Sequence, residues 1–270
     1  MAEVEHNEQG AHPIDGLSVC MLLIGDPAHD ARVRKEASSL ADSGARVDLV
    51  YCSSRRAEEV QWPWGELDWI PAPQSSDADL RLLRVLVNLT RELRMYRSLA
   101  VRAARRASRV YHCHDLNTLW SGLRAAGKTG ARVVYDSHEL FTESGDWKEW
   151  RRRLFASYER RALQRVDLVI AANSERAEIM HREYGAPSLP TVVMNTPEAR
   201  HVGAKPSSQA LQERERAGAD HLLLYQGGLH RGRGLDAVVA GLANLPSGYH
   251  LALMGSGNAD DLLATAKAHG

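Results

Sequence analysis

Two short segments of the 270-residue sequence set histidines beside carboxylates: HCHD at 112–115 and DSHE at 136–139. Each ends an apolar run of strand length, so both are expected at the carboxyl ends of β-strands. Side chains alternate along a strand, which puts His112 and His114 on one face. Three chemistries are open to this set. His112, His114, Asp115, His138 and Glu139 are suitable types for zinc or iron, but their spacing matches no familiar ligand set, and no metal is expected. They could be polar caps on strand ends. They could also line a cleft in which His138 and Asp115 handle a polar substrate.

A third segment, GGLHRGRG at 227–234, joins an expected strand to an expected helix. It carries Gly227, Gly228, Gly232 and Gly234 with Arg231 and Arg233. Glycines let the backbone approach a ligand, and a helix start presents unpaired N–H groups at a positive dipole end. Arginine forks match phosphate oxygens. The segment has neither the GK[ST] of a Walker A loop nor a GxGxxG pattern. An anion-binding turn and a plain glycine-rich turn are the two readings. MGSG at 254–257 ends the next expected strand, where ligands sit in parallel α/β sheets.

The elements that must position these residues alternate. Strand-length apolar runs fall at 17–24, 46–52, 67–70, 109–114, 132–138, 166–172 and 191–195. Helical patterns fill most gaps, at roughly 30–44, 77–107, 117–127, 147–164 and 174–184. Near-continuous β-branched runs read as strands buried on both faces, hence a parallel, Rossmann-like α/β sheet. Residues 1–15 read as a disordered lead-in, 16–195 as a Rossmann-like domain and 196–219, with Pro197 and Pro206, as a linker. Residues 220–270 read as the first part of a second Rossmann-like domain, with strands at 221–228 and 249–255 and too small a core to be complete.

Composition excludes several classes. The 34 Lys and Arg balance 34 Asp and Glu, which argues against a chain committed to nucleic acid. Three cysteines without a CxxC pair make no disulfide framework and suit a reducing cytoplasm. The acidic amino terminus has no signal-peptide pattern, and the run at 17–24 is far short of the roughly 20 residues of a bilayer span. One segment stands apart. Residues 81–109 hold nine arginines, Arg81 to Arg109, against Glu92 alone, with leucines on one helical stripe. A solvated basic face is the ordinary reading; contact with an anionic membrane surface is the functional one.

Several segments in order resemble the bacterial family 4 glycosyltransferases: GDPAHDARVRKEASSLADSGARVDLV, VYHCHDLNTLWSGLRAA, ARVVYDSHELFTE, VDLVIAANSERAE and LLLYQGGLHRGRGLDAVV. The resemblance spans about 17–270 and implies GT-B architecture, two Rossmann-like domains with the acceptor mainly on the first and the donor mainly on the second. It implies transfer of a sugar from a nucleotide-diphosphate donor with retention of configuration and without an obligatory metal or other cofactor. His138 matches the family's cleft histidine beside the transferring sugar. Arg233 stands where a basic residue meets the donor diphosphate, with Gly228, Arg231, Gly255, Gly257 and Gly25 also on the donor side. Asp30, Arg32, His114, Asp115 and Glu139 fall on the acceptor side.

The sequence departs from the family at three places. A Gly-Gly pair after the first strand is reduced to Gly25, followed by Asp26 and Pro27. Gly228 stands where a basic residue is frequent, with Arg231 as a substitute. The family's paired glutamates seven residues apart would lie past Gly270. The implied acceptor is a sugar or a lipid-linked carrier, and the implied location is the cytoplasm or the inner face of the membrane. A non-catalytic GT-B-like binding module and a sugar-nucleotide epimerase of the same fold are the alternatives.

Overall fold

The computed structural model describes residues 14–54, 56, 61–74, 81–140, 149–196, 212, 218, 220–229 and 233–269; of residues 81, 82 and 84 only the backbone is described. Most of the expected lead-in and linker, the donor-side Arg231, and the side chains of Arg81 and Arg84 lie outside the described residues. The chain divides into two compact units, Met1–Asn195 and Thr196–Gly270.

The first unit alternates strand and helix: β1 (Ser18–Ile24), α1 (Ala31–Asp42), β2 (Arg46–Ser53), β3 (Leu67–Pro71), α2 (Arg81–Arg105), β4 (Val110–His114) and α3 (Leu116–Thr129). It continues with β5 (Arg132–Ser137), α4 (Glu149–Leu163), β6 (Leu168–Ala171), α5 (Ser174–Arg182) and β7 (Thr191–Val192). All seven strands are parallel, in the order β3-β2-β1-β4-β5-β6-β7. The order reverses between β1 and β4, the point at which open α/β sheets form their binding crevice. β7 is shorter than the run 191–195 suggests: it is the sheet edge, and the chain leaves it after the Val193 N–H donates to Ala171 O.

Burial explains why the apolar runs are continuous rather than alternating. One face of β1 and β2 (Val19, Met21, Val47, Leu49) packs with Val33 and Ala37 of α1 and with Trp62. The other face (Leu22, Val50, Tyr111, Tyr135) packs with Leu99, Leu119, Leu163 and Met180 of α2 to α5. Trp62 donates its indole N–H to Val47 O at 2.8 Å and meets Trp64 edge-on, so these tryptophans pack across the loop. Cys20, Cys52 and Cys113 are free and buried, and burial pushes the thiols of Cys52 and Cys113 up to about 11 and about 12.

The second unit comprises β8 (His221–Gln226), α6 (Leu235–Leu242), β9 (Tyr249–Met254) and α7 (Asp260–His269). β8 and β9 pair in parallel, and Leu229, Leu235, Val239 and Leu262 form a small core. Gly255 and Gly257 are close-approach positions rather than flexible ones. A Cβ on Gly255 would lie 1.7 Å from Gly227 O, and one on Gly257 2.3 Å from Leu229 O.

Candidate active site

The two histidine-bearing segments meet at the carboxyl ends of β4 and β5. Their register pairs His114 with Asp136, and alternation then points His112, His114 and Asp136 to the α1 side of the sheet. The rings of His112 and His114 stack with centroids 4.6 Å apart. α1 supplies the counter-charge. Arg32 and Glu36 lie one helical turn apart and bond to each other, Nε to Oε1 at 2.9 Å.

The Arg32 guanidinium also grips both oxygens of Asp136, Nη2 to Oδ1 at 2.5 Å and Nε to Oδ2 at 3.1 Å. Asp136 is fully buried and Arg32 nearly so, which makes this an ion pair removed from water. Asp136 Oδ2 meets two histidines as well, His138 Nε2 at 2.9 Å and His114 Nδ1 at 3.3 Å. Burial alone would raise the Asp136 pKa, but the hydrogen bonds from His114 and His138 outweigh it and hold the carboxyl well below its usual range.

His138 lies just past the end of β5, between two carboxylates. Nε2 faces Asp136, and Nδ1 stands 3.4 Å from Asp115 Oδ2. Burial would lower its pKa; the hydrogen bond to Asp136 and the charges of Asp115 and Asp136 raise it above the ordinary histidine value. Its backbone is clamped too. The His138 N–H donates to Asp115 Oδ1 at 3.0 Å, and the Arg176 guanidinium donates to His138 O. Arg176 is in turn placed by the cap of α5, where Asn173 Oδ1 accepts from the Arg176 N–H.

Asp115 holds this position at a conformational cost. It has φ 63° and ψ 164°, a region that side chains with a Cβ rarely occupy. Its N–H donates to Asp136 O, so β4 and β5 jointly fix the turn that carries its carboxylate to His138.

The other expected site residues fall elsewhere. Asp30 is the N-cap of α1, its Oδ1 accepting from the Val33 N–H at 3.1 Å. Glu139 is exposed, and its carbonyl accepts from Ser137 Oγ. Gly25 follows β1 and its N–H donates to Cys52 O. In the second unit, Gly228 O accepts from the Tyr225 hydroxyl, and Arg233 is exposed next to Gly234, the residue at the start of α6. Among the described residues no side chain caps that helix start.

The set expected to suit a metal is regrouped. Glu36, His112, His114 and Asp136 bring one ligand atom each within 4.8 Å of the others, while Asp115 serves His138 and Glu139 is outside this group. The reason is register: Asp136 shares the His114 side of the sheet, and Asp115 sits beyond the end of β4. Arg32 is bonded to both carboxylates of the quartet. Sequence reasoning missed Glu36, Asp136 and Arg176. The signals were present, in the four-residue spacing of Arg32 and Glu36 and the two-residue spacing of Asp136 and His138.

The family described as glycosyl transferase 4-like domain matches residues 29–196, more than half of the chain and all of this cluster. The chain belongs to that family. No curated protein matches it in sequence. Among solved structures, sucrose-phosphate synthase from Thermosynechococcus elongatus is similar at 17% identity and TM-score 0.66, covering 90% of this chain and 63% of that one. An Anabaena protein crystallised with UDP and glucose is similar at 14% identity and TM-score 0.56, covering 94% and 65%. A Listeria monocytogenes protein assigned as a UDP-N-acetylglucosamine 2-epimerase reaches 11% identity and TM-score 0.58, covering 94% and 67%. These likenesses establish the GT-B fold for this family member. The chain spans less than two thirds of the length of the first two structures.

Proposed function

We propose that this protein takes part in glycosyl transfer, moving a sugar from a nucleotide-diphosphate donor to a cell-envelope, polysaccharide or lipid-linked acceptor with retention of configuration. The observation that carries the reading is His138, held between Asp115 and Asp136 at the carboxyl end of β5 in a chain of the glycosyl transferase 4-like family. The location is the cytoplasm or the inner membrane face, and neither a metal nor another cofactor is needed for the reaction.

Breaking a glycosyl–phosphate bond puts negative charge on the leaving diphosphate and positive character on the sugar. His138, whose two carboxylates favour the protonated ring against the effect of burial, offers positive charge and an N–H donor on the first-unit side. The Nδ1 contact to Asp115, at 3.4 Å, is the looser of the two, so Nδ1–H is the donor available to a sugar hydroxyl. Nε2 stays committed to Asp136 and fixes the ring. In the second unit, the start of α6 with Arg233, together with Arg231, suits the diphosphate.

Calorimetric titration with UDP-, GDP- and ADP-sugars, followed by transfer assays with the donor that binds, tests the reading. Binding with sugar transfer to an envelope glycan or carrier lipid is expected. No heat with any donor would indicate a non-catalytic binding module, and a donor returned with an inverted sugar centre would indicate an epimerase.

A further inference from the structure

Two polar atoms of the cluster are buried and unsatisfied. His112 Nε2 and Glu36 Oε2 have no hydrogen-bond partner among the described residues. They face each other at 3.5 Å, too long for an ordinary hydrogen bond, and their side chains are 6% and 14% exposed. Buried polar groups are normally paired, so these two point to a ligand. They can also be reached. A cavity of about 510 Å³ beside α1 has Arg32, Lys35, Glu36 and His112 in its lining.

His114 Nδ1 and Asp136 Oδ2, 3.3 Å apart, complete a set of four atoms within 4.8 Å of one another. In a tetrahedral zinc site, bonds of about 2.0–2.2 Å put neighbouring ligand atoms about 3.3–3.6 Å apart. The Glu36–His112 and His114–Asp136 edges already have that length. The cross edges, His112 to Asp136 and His114 to Glu36, are 4.0 Å and need to close by about half an ångström. Arg32 fixes the remaining oxygen of each carboxylate, donating to Glu36 Oε1 at 2.9 Å and to Asp136 Oδ1 at 2.5 Å. Carboxylates that bind metals are oriented by hydrogen bonds of this kind. Sequence spacing hides the set because its members come from α1, β4 and β5.

We propose that Glu36, His112, His114 and Asp136 form a binding site for a divalent transition-metal ion of the zinc class, reached through the cavity beside α1. Two imidazoles select against magnesium and calcium, which prefer oxygen ligands throughout. Asp136 Oδ2 is a shared atom: Arg32 Nε at 3.1 Å and His138 Nε2 at 2.9 Å also approach it. An ion bound there displaces His138 from that oxygen. Occupancy therefore opposes the arrangement used in the proposed transfer, and the ion acts as a brake on that reaction, not as its cofactor. That consequence rests on the transfer reading; the binding site itself does not.

Titration calorimetry of the 270-residue chain, freed of metal and without any sugar donor, tests the site with zinc chloride. One zinc ion per chain is expected, with magnesium bound at least about 100-fold more weakly. Cobalt(II) reports the geometry, because a four-coordinate site gives an intense visible band and six-coordinate surface binding stays pale. Glu36→Gln keeps an oxygen for Arg32 and removes one ligand atom. His112→Phe keeps a ring to stack on His114 and removes another. Each should lower zinc affinity by about 100-fold or more and abolish the cobalt band. Circular dichroism and melting curves in EDTA check that the variants fold, and the parent's cobalt spectrum decides without them. No heat with zinc, a pale cobalt form, or folded variants that bind zinc like the parent would overturn the proposal. A filled site with the band intact but transfer unchanged would remove the brake and leave the site standing.

Discussion

Asp136 Oδ2 lies 2.9 Å from His138 Nε2, and the two residues stand two apart at the end of one strand. The anchor of the histidine is thus built into β5, and the same carboxylate also holds Arg32 and His114. Asp136→Asn would leave the buried Arg32 with Glu36 as its one remaining carboxylate, at a cost of about 3–5 kcal/mol in urea unfolding. It should also lower the His138 pKa in an NMR titration. The sign follows from linkage. A histidine whose folded pKa is raised stabilises the fold below its unfolded value of about 6.5 and loses that contribution as pH rises through the folded value. The parent should therefore lose stability across this range more steeply than the variant. Equal pH slopes and an unmoved His138 titration would leave Asp136 with a purely structural role.

The backbone at Asp115 yields a second prediction. At φ 63° and ψ 164° any Cβ is strained, so glycine should be tolerated there better than alanine. Both Asp115→Ala and Asp115→Gly remove the carboxylate that faces His138, but only the glycine variant also relaxes the turn. We expect the glycine variant to be more stable than the alanine variant by about 1–3 kcal/mol, measured by chemical denaturation. Both should lower the His138 pKa. Alanine equal to glycine would mean that the turn relaxes without help.

Much of this could be read from the chain itself. The β-branched runs ending in HCHD and DSHE place the histidines at strand ends because a parallel strand covered on both faces must be apolar throughout. The partners were harder to see. Arg32 and Glu36 come from a helix about a hundred residues before Asp136, and only the sheet order, which sets β1 beside β4 and β4 beside β5, brings them together. The strain at Asp115 has no composition signal, since aspartate before a helix reads as an ordinary N-cap, yet its side chain caps nothing in α3. Likewise the leucine stripe of α2 is legible as a stripe, but its exposure along half the helix depends on what packs there.

Glu159 is buried in the core of the first unit, with Oε1 accepting from the Tyr135 hydroxyl at 2.8 Å. Burial pushes its carboxyl up to about 7, although the Tyr135 hydrogen bond opposes the rise. The unfolded chain then releases this proton near pH 4.5 and the folded chain only near 7, so stability should fall as pH rises through that window. Glu159→Gln keeps an acceptor for Tyr135 and removes the ionisation. It should match the parent near pH 5 and exceed it above pH 7 by up to about 3 kcal/mol in thermal or urea unfolding. A variant less stable than the parent at both pH values would show that Glu159 is needed in its charged form.

His138 itself can be tested by activity. His138→Ala removes the positioned charge and donor while leaving the nucleotide side of the protein untouched. Turnover in sugar transfer should drop by on the order of 10²-fold or more, with donor affinity changed much less. Transfer near the parent rate would exclude the ring from the reacting centre.

The second unit offers a test of the donor side. Gly255, at the end of β9, passes so close to the loop after β8 that an added Cβ would lie 1.7 Å from Gly227 O. Both groups are backbone, so no side-chain rotation can relieve the overlap, and the two loops must move apart. Those loops carry Gly228, Arg231 and Arg233 on one side and Gly257 on the other, and the start of α6 follows directly. Gly255→Ala should therefore weaken binding of the nucleotide diphosphate by about tenfold or more in calorimetry, since preorganised N–H groups lose their geometry. The His138 titration in the first unit should stay where it is in the parent, because the cluster of Arg32, Asp115, Asp136 and His138 lies entirely within Met1–Asn195. Unchanged nucleotide affinity would remove the β8 and β9 loops from the donor site. A shifted His138 titration would show instead that the two units are coupled through their packing.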